Sequence, residues 1–307
     1  MRFLQLLYMQ FSYDIFGSSR YQFMILIADG GSTKADWIAL DNQRNEAFRV
    51  RTLGLNPAVV PQEELMNRII HMFQLIEIKE KVTEIHFYGA GCGTPQPVDI
   101  LRNVLKEVFV NAEIIISEDM LAAVYATTGK QPAIVCILGT GSNSCYFNGE
   151  SMEMLSASLG YILMDEASGN YFGKKLIRDF YYHKMPKRIA DKFESQFNLD
   201  ADFIKFNLYR QPNPNMYLAT FAKFMFEFKE DKYIKRIIKK GFQEFFRYRV
   251  LPYDKTIETP VYFIGSIAFY FRDILEKIAK KNNLQITDVI QRPIDNLLEY
   301  HKNNFKE

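Results

Sequence analysis

Apolar residues along the chain follow two alternating patterns. Short apolar runs such as Met24–Ala28 and Ala133–Leu138 are typical of buried strands. Between such runs, apolar residues recur at every third or fourth position, as in Glu63–Ile76, which follows Pro61 as a helix start would. Because strands alternate with helices, the pattern predicts an α/β protein with a mainly parallel central sheet in each half.

The same patterns give the order of the elements. Strands are predicted at Met24–Ala28, Asp36–Leu40, Phe48–Thr52, Glu84–Tyr88, Glu113–Ser117, Ala133–Leu138 and Pro260–Ile264. Helices are predicted at Glu63–Ile76, Val98–Phe109, Met120–Thr128, Tyr171–His183, Met216–Glu227, Tyr233–Arg249, Ser266–Lys281 and Pro293–Tyr300. After Asp165 the chain is therefore expected to be mostly helical, with many aromatic residues.

Two turns rich in glycine and hydroxyl side chains stand out. The first lies in ILIADGGSTKADWIAL at Ile25–Leu40, and the second lies in AIVCILGTGSNSCYF at Ala133–Phe147. Each is a tight turn between two apolar strands, and it offers backbone N–H groups and hydroxyls that can hold phosphate. Asp-Gly is also favoured in ordinary hairpins, so one such turn alone would not indicate a ligand. The presence of two such turns favours a site that binds a polyphosphate from both sides.

Composition narrows the class of protein. The 307 residues fit two domains, and 48% apolar residues can form a sizeable core. A net charge of +2, from 38 basic and 36 acidic residues, argues against a nucleic-acid partner. No apolar run approaches the ~18 residues of a membrane helix. The three cysteines, Cys92, Cys136 and Cys145, fit reduced thiols of a cytoplasmic protein better than a disulfide framework.

The first 23 residues are set apart from the pattern. Met1–Phe23 has a short apolar stretch after one arginine, but Gln5, Gln10 and Asp14 interrupt it and no small-residue cleavage site follows. We therefore expect a poorly ordered extension rather than a signal peptide, with Met24 as an alternative start of the natural chain.

Other nucleotide and metal motifs are absent or incomplete. No G-x-x-x-x-G-K-[ST] sequence occurs, which excludes a P-loop. Gly89–Gly93 (GAGCG) follows a predicted strand, but Thr94 stands where a dinucleotide fingerprint needs its third glycine. The four histidines are scattered and have no zinc-ligand spacing.

Six short motifs in a fixed order carry a family resemblance. They are DGGSTKAD (Asp29–Asp36), GAGCG (Gly89–Gly93), SEDMLAA (Ser117–Ala123), GTGSN (Gly139–Asn143), DEASG (Asp165–Gly169) and IGSIA (Ile264–Ala268). Their order and spacing resemble the BadF/BadG/BcrA/BcrD-type ATPase family and, within it, the N-acetylglucosamine kinases. The resemblance covers the chain from Met24 to about Tyr300.

The resemblance implies the actin/hexokinase/Hsp70 fold. It predicts two actin-like (ribonuclease H-like) domains, each with a mixed central sheet flanked by helices, and a cleft between them. The expected bounds are residues 24–130 and 131–307, with a helical insertion at about 167–250. The last helix is expected to pack back on the N-terminal domain.

The resemblance also implies an ATP site. It assigns phosphate binding to Gly30, Gly31, Ser32, Thr33 and Lys34 of the first turn and to Gly139, Thr140 and Gly141 of the second. Asp29 corresponds to an aspartate that holds Mg²⁺ through water, and Gly265 and Ser266 correspond to the turn that contacts adenosine. Glu118 and Asp119 are adjacent acids at a predicted helix start, where either could simply cap the helix. The resemblance selects Asp119 as the general base.

The substrate implied by the resemblance is an amino sugar. Its expected contacts are Asn56, Asp119, Thr140, Asn143 and Asp165, and the expected reaction is ATP-dependent phosphorylation of the 6-hydroxyl of N-acetylglucosamine. Two departures lie where the sugar should sit. Ser158-Leu159-Gly160 replaces the family's Gly-Trp-Gly, and Ala167 replaces the usual glycine of DEGSG. N-acetylmuramic acid and glucosamine therefore stay open as substrates, and a homodimer is left open.

Two functions of other classes compete with a kinase. One is an ATP-driven activator of a radical dehydratase, which needs cysteines to bridge an iron–sulfur cluster between subunits. Of the three cysteines only Cys92 is placed in a loop by the predicted elements. The other is a sensor that binds sugar or nucleotide without turnover, which the presence of Asp29, Asp119 and both turns disfavours.

Overall fold

The computed structural model describes residues 23–254 and 258–304. The predicted N-terminal extension at residues 1–23 lies almost wholly outside the described residues. Among the described helices, none combines the length and the apolar character needed to cross a membrane.

The N-terminal half is built on a five-stranded sheet in the order β3-β2-β1-β4-β5. Its strands are β1 (Met24–Gly30), β2 (Lys34–Leu40), β3 (Glu46–Leu53), β4 (Val82–Gly89) and β5 (Glu113–Glu118). Strands β1, β2 and β3 pair antiparallel, whereas β1, β4 and β5 pair parallel. Its helices are α1 (Gln62–Ile70), α2 (Phe73–Glu77), α3 (Pro95–Val108) and α4 (Asp119–Thr127).

The C-terminal half repeats this sheet in the order β10-β9-β6-β7-β8. The strands are β6 (Ala133–Leu138), β7 (Ser142–Phe147), β8 (Met152–Glu153), β9 (Val261–Ile264) and β10 (Ile286–Ile290). The β6-β7-β8 pairs are antiparallel, and the β6-β9-β10 pairs are parallel. Both sheets are therefore mixed, as the family resemblance implies. The mainly parallel sheets expected from alternation alone are wrong, because each glycine-rich turn folds two consecutive strands into a hairpin.

Helices dominate the rest of the C-terminal half. They are α5 (Gly169–Tyr181), α6 (Lys187–Gln196), α7 (Ala201–Tyr209), α8 (Pro214–Phe221), α9 (Lys223–Glu227), α10 (Lys232–Phe245), α11 (Ser266–Tyr270), α12 (Arg272–Lys281) and α13 (Ile294–Asn304). A π-helical turn at Phe246–Val250 and a 3₁₀ turn at Leu251–Tyr253 follow α10.

Several predicted helices are interrupted. The predicted helix Glu63–Ile76 is broken at His71 and Met72, and the predicted helix Ser266–Lys281 is broken at Phe271. Likewise, Met216–Glu227 is divided at Ala222, and Tyr233–Arg249 changes to π geometry from Phe246. Apolar periodicity continues through these positions, so it does not reveal where packing bends the backbone. The helices α6 and α7 and the strand β10 were not predicted.

Helix α4 packs between the two sheets. One face of α4 contributes Ala122 to a cluster with Ile27 and Ile38 of the N-terminal sheet. Its opposite face contributes Met120 and Val124 to a cluster with strands β6 and β7. Helix α13 packs on α4 and β1, with Leu297 and Leu298 in the cluster of the N-terminal sheet. The start of α4, at Asp119, is thereby held between the two halves.

Candidate functional site

The first glycine turn joins β1 to β2 and is closed by a backbone hydrogen bond. The Gly31 amide donates to the Lys34 carbonyl at 2.8 Å. Gly30 has no room for a side chain, because an added Cβ would lie 2.4 Å from the ring of Phe87. The Thr33 side chain is exposed at the tip of the turn, and Asp29 and Lys34 lie at its two ends.

The second glycine turn joins β6 to β7 and is held by the start of α5. The Gly139 amide donates to the Gly141 carbonyl at 2.9 Å. The Gly139 and Thr140 carbonyls accept hydrogen bonds from the amides of Gly169 and Asn170, at 2.8 and 3.0 Å. The position above Gly139 is open, since an added Cβ would meet no atom closer than 4.0 Å.

The two turns meet across the gap between the sheets. The hydroxyl oxygens of Thr33 and Thr140, 107 residues apart, lie 3.0 Å from each other. This distance is within hydrogen-bond range. Residues that sequence analysis assigns to two phosphate turns are therefore brought to one place in the structure.

Two carboxylates lie close enough to each other at the end of the N-terminal sheet for their charges to interact. Asp29 ends β1, and Asp119 begins α4 directly after β5. Burial raises the pKa of Asp29 to about 7, with further increases from the charges of Asp119 and Asp36. Burial and then the charge of Glu118 raise the pKa of Asp119 to about 6, although backbone N–H groups lower it. Negative charge is thus concentrated beside the first turn, a situation that a divalent cation would relieve.

The carboxylate of Asp29 suits a hydrated magnesium ion. Among the described residues, no group of three or more His, Cys, Asp or Glu side chains is placed to hold a metal. Mg²⁺ keeps several waters and is usually bound through one or two carboxylates plus substrate phosphates. Asp29, whose pKa is raised by burial and then by the charges of Asp119 and Asp36, matches such a site.

The third acidic side chain of the site, Asp165, is locked in place. It has a left-handed backbone conformation with φ 69° and is 7% exposed. Its carboxylate accepts from the Ser142 amide at 3.2 Å and from Asn170 Nδ2 at 2.7 Å. Asn170 Nδ2 also donates to the Thr140 carbonyl at 2.8 Å, so one amide connects Asp165 to the second turn.

Sequence analysis missed Asn170. It lies one residue beyond the DEASG motif and is fully buried. A polar residue directly after this motif was the signal available in the sequence, but an asparagine in the first turn of a helix does not by itself indicate a site.

The two asparagines predicted to bind sugar have different surroundings. Asn56 is 7% exposed; its Nδ2 donates to Ser32 Oγ at 2.9 Å, and its Oδ1 accepts from the Ala58 amide. Much of its hydrogen-bonding capacity is therefore used to support the first turn. Asn143 is half-buried on β7, where its Oδ1 accepts from the Ser144 amide and its Nδ2 lies 3.8 Å from Met154 Sδ.

The predicted adenosine turn lies against the second phosphate turn. Gly265 has φ 114°, and an added Cβ would lie 2.3 Å from the Leu138 carbonyl oxygen. Only glycine fits this position without strain. Ser266 is exposed and is the first residue of α11, and no side-chain hydrogen bond caps that helix.

All three cysteines are buried and unpaired. Burial, with the charges of Asp119 and Glu118, raises the pKa of Cys92 to about 12. Burial likewise raises the pKa of Cys145 to about 12 and that of Cys136 well above its usual range. Cluster ligation needs thiolates that are accessible at a subunit interface, so these thiols disfavour the dehydratase-activator role.

Comparisons with known proteins agree with the geometry. No family model matches the chain, and a search of curated proteins finds no match. A structure of a provisionally named N-acetylglucosamine kinase from Porphyromonas gingivalis is 34% identical, with a TM-score of 0.83, over 92% of this chain and 99% of that one.

Two more distant structures share the fold. A provisionally named N-acetylglucosamine kinase from Chromobacterium violaceum is 14% identical with a TM-score of 0.72, over 90% of this chain and 98% of that one. A ROK family glucokinase from Streptomyces griseus, in complex with glucose and AMPPNP, is 13% identical with a TM-score of 0.55, over 91% and 98% of the two chains.

Proposed function

The chain belongs to the N-acetylglucosamine kinase-like family of BadF-type, actin-fold ATPases, and on that premise we propose that it is a sugar kinase that uses ATP. The observation that carries the proposal is the meeting of the two glycine turns at Thr33 and Thr140. A polyphosphate placed there would be reached by backbone amides and hydroxyls from both halves of the molecule. The glucose and AMPPNP bound by the Streptomyces griseus glucokinase support a sugar and a nucleotide in the equivalent cleft.

Asp119 is the proposed general base. Phosphoryl transfer asks the protein mainly to position the reactants and to stabilise charge. A carboxylate at the start of α4, held between the sheets, would orient the sugar hydroxyl and accept its proton as the phosphoryl group is transferred. A pKa of about 6 leaves this carboxylate ionised at neutral pH and makes it a stronger base than an ordinary aspartate.

Asp29 is the proposed magnesium residue, acting through water. When bound, the ion would neutralise charge on the phosphates. The amides and hydroxyls of residues 30–34 and 139–141 would hold the phosphates, and the turn of Gly265 and Ser266 would leave room for the adenosine.

The proposed acceptor is the 6-hydroxyl of N-acetylglucosamine. It is supported by the names of two similar structures. It is also supported by Asp119 and Asp165, whose charges interact, and by Asn143, which follows the residue whose amide donates to Asp165. Their donors and acceptors suit vicinal hydroxyls. Glucosamine and N-acetylmuramic acid are the competing acceptors, because Ala167 and Ser158-Leu159-Gly160 depart from the family pattern.

A sugar panel tests the proposal. The purified full chain is incubated with Mg-ATP and, separately, with N-acetylglucosamine, glucosamine, N-acetylmuramic acid and glucose, and the position of the phosphoester is read by NMR. We expect N-acetylglucosamine 6-phosphate from the native chain, none from Asp119→Asn, and native yield from Asp191→Asn, a control at an exposed aspartate on α6. ATP hydrolysis that depends on anaerobic iron, or sugar binding without turnover, would instead support one of the two rival functions.

A further inference from the structure

Among the described residues, none forms a side-chain hydrogen bond or ion pair with the carboxylate of Glu118. It ends β5 directly before Asp119 and is half-buried. It occupies the cap position of α4, yet its side chain makes no capping hydrogen bond. Across residues 23–254 and 258–304, it forms no hydrogen bond or ion pair with another side chain. This half-buried carboxylate is therefore open to accept hydrogen bonds from a group that the protein binds.

Two glycines of the GAGCG loop lie beside Glu118. Strand pairing places it beside Gly89, and its Oε2 would lie 3.4 Å from a Cβ added at Gly93. Its charge also acts on the thiols of Cys92, in the loop after β4, and of Cys145, on β7. Glu118 therefore lies between the two halves, next to Gly89 and Gly93 of the GAGCG loop.

The side chains around Glu118 carry a net negative charge. Asp119 adjoins it, and Asp165 is near enough for its charge to act on Asp119. The two basic side chains that act on this region are already engaged: Lys34 pairs with Asp36 at 3.3 Å, and Arg249 pairs with Glu166 at 3.3 Å. A ligand carboxylate would therefore meet repulsion with no free cation among these groups to offset it.

We propose that Glu118 is a substrate-contacting, specificity-determining residue that accepts hydrogen bonds from an uncharged or cationic amino sugar and excludes acidic sugars. The inference rests on the proposed sugar-kinase function and narrows its substrate class. A carboxylate can accept from two hydroxyls or from an ammonium group, and such charge-assisted bonds are stronger than neutral ones. The same charge rejects a lactyl carboxylate, so N-acetylmuramic acid is the disfavoured acceptor.

The test compares Glu118→Gln and Glu118→Ala with Glu113→Gln, an exposed glutamate at the other end of β5. Initial rates with N-acetylglucosamine, glucosamine and N-acetylmuramic acid give kcat and KM for each, and calorimetry without ATP gives sugar affinity. Circular dichroism checks that each variant folds, and the isosteric Gln variant covers the case in which Ala does not.

We expect Glu118→Gln to raise KM for the preferred uncharged sugar about tenfold, the loss of about 1.4 kcal/mol of binding. KM for ATP should stay unchanged, and kcat/KM for N-acetylmuramic acid relative to N-acetylglucosamine should rise at least tenfold. Three results would overturn the inference: unchanged selectivity in both Glu118 variants, a loss confined to kcat, or a preference of the native chain for N-acetylmuramic acid. Each of them would leave the proposed sugar-kinase function intact. A native chain that neither binds nor phosphorylates any of the three sugars would overturn the proposed function and this inference together.

Discussion

Replacing Asn170 with alanine removes the amide that joins Asp165 to the second phosphate turn. The side chain makes two hydrogen bonds, to Asp165 Oδ2 at 2.7 Å and to the Thr140 carbonyl at 2.8 Å, and it is fully buried. A bond to a charged group contributes about 1.5–3 kcal/mol and a neutral one about 0.5–1.5 kcal/mol. We therefore expect Asn170→Ala to lower the free energy of unfolding by about 3 kcal/mol at pH 8.

The loss should depend on pH with a definite sign. Burial raises the pKa of Asp165, while the hydrogen bond from Asn170 lowers it. Without Asn170 the pKa rises further, so ionised Asp165 becomes more costly in the folded protein. The difference between native chain and variant should therefore grow as pH rises through the pKa of Asp165, and shrink as pH falls through it.

Urea denaturation followed by circular dichroism at pH 5, 6.5 and 8 measures this difference. Asn282→Ala is the matched control, because its Nδ2 makes one partly buried bond, to the Ile278 carbonyl at 2.8 Å. It should cost about 1 kcal/mol at every pH. A loss below 1 kcal/mol for Asn170→Ala at pH 8, or a loss that increases as pH falls, would refute the reasoning.

Four further outcomes follow from the site and its supports. Asp119→Asn should reduce turnover by about two to four orders of magnitude. The same variant should stabilise the free protein at pH 7 by at most about 3 kcal/mol, because the pKa of Asp119 is raised from 3.8 to about 6. A melting point at or below the native value would contradict this stabilisation. For the native chain, kcat/KM for the sugar should fall about tenfold per pH unit below about pH 6, and a flat profile from pH 5 to 8 would exclude this base. Asp29→Asn should abolish the effect of Mg²⁺ on ATP affinity in calorimetry, whereas an undiminished effect would place the metal elsewhere. Gly173→Ala should lower the free energy of unfolding by about 3 kcal/mol or more in urea denaturation, because an added Cβ would lie 1.8 Å from the Leu218 carbonyl oxygen. The control Ser195→Ala, at an exposed position, should change it by no more than about 0.5 kcal/mol. Equal stability of the two variants would rule out the close helix contact.

The local elements of the site could be read from the sequence. Apolar runs on both sides of ADGGSTK and LGTGSN predict strands, and the glycines between them predict tight turns, because such preferences act over a few neighbouring residues. The six motifs in order were enough to identify the fold. The position of Asp119 at a helix start also follows from neighbouring residues, since the strand before it and the helix after it are both predicted.

What tertiary structure decided is how these local pieces come together. No local preference brings Thr33 within 3.0 Å of Thr140, or α13 onto the N-terminal sheet. The interruption at Phe271 and the role of Asn170 as a link between Asp165 and the second turn also depend on partners distant in sequence. The same holds for the carboxylate of Glu118, which has no side-chain partner within the described part of the chain, because the sequence shows two adjacent acids but not which of them finds a partner. Contacts of this kind arise from packing between elements, and a single sequence records the residues that make them without recording the pairs.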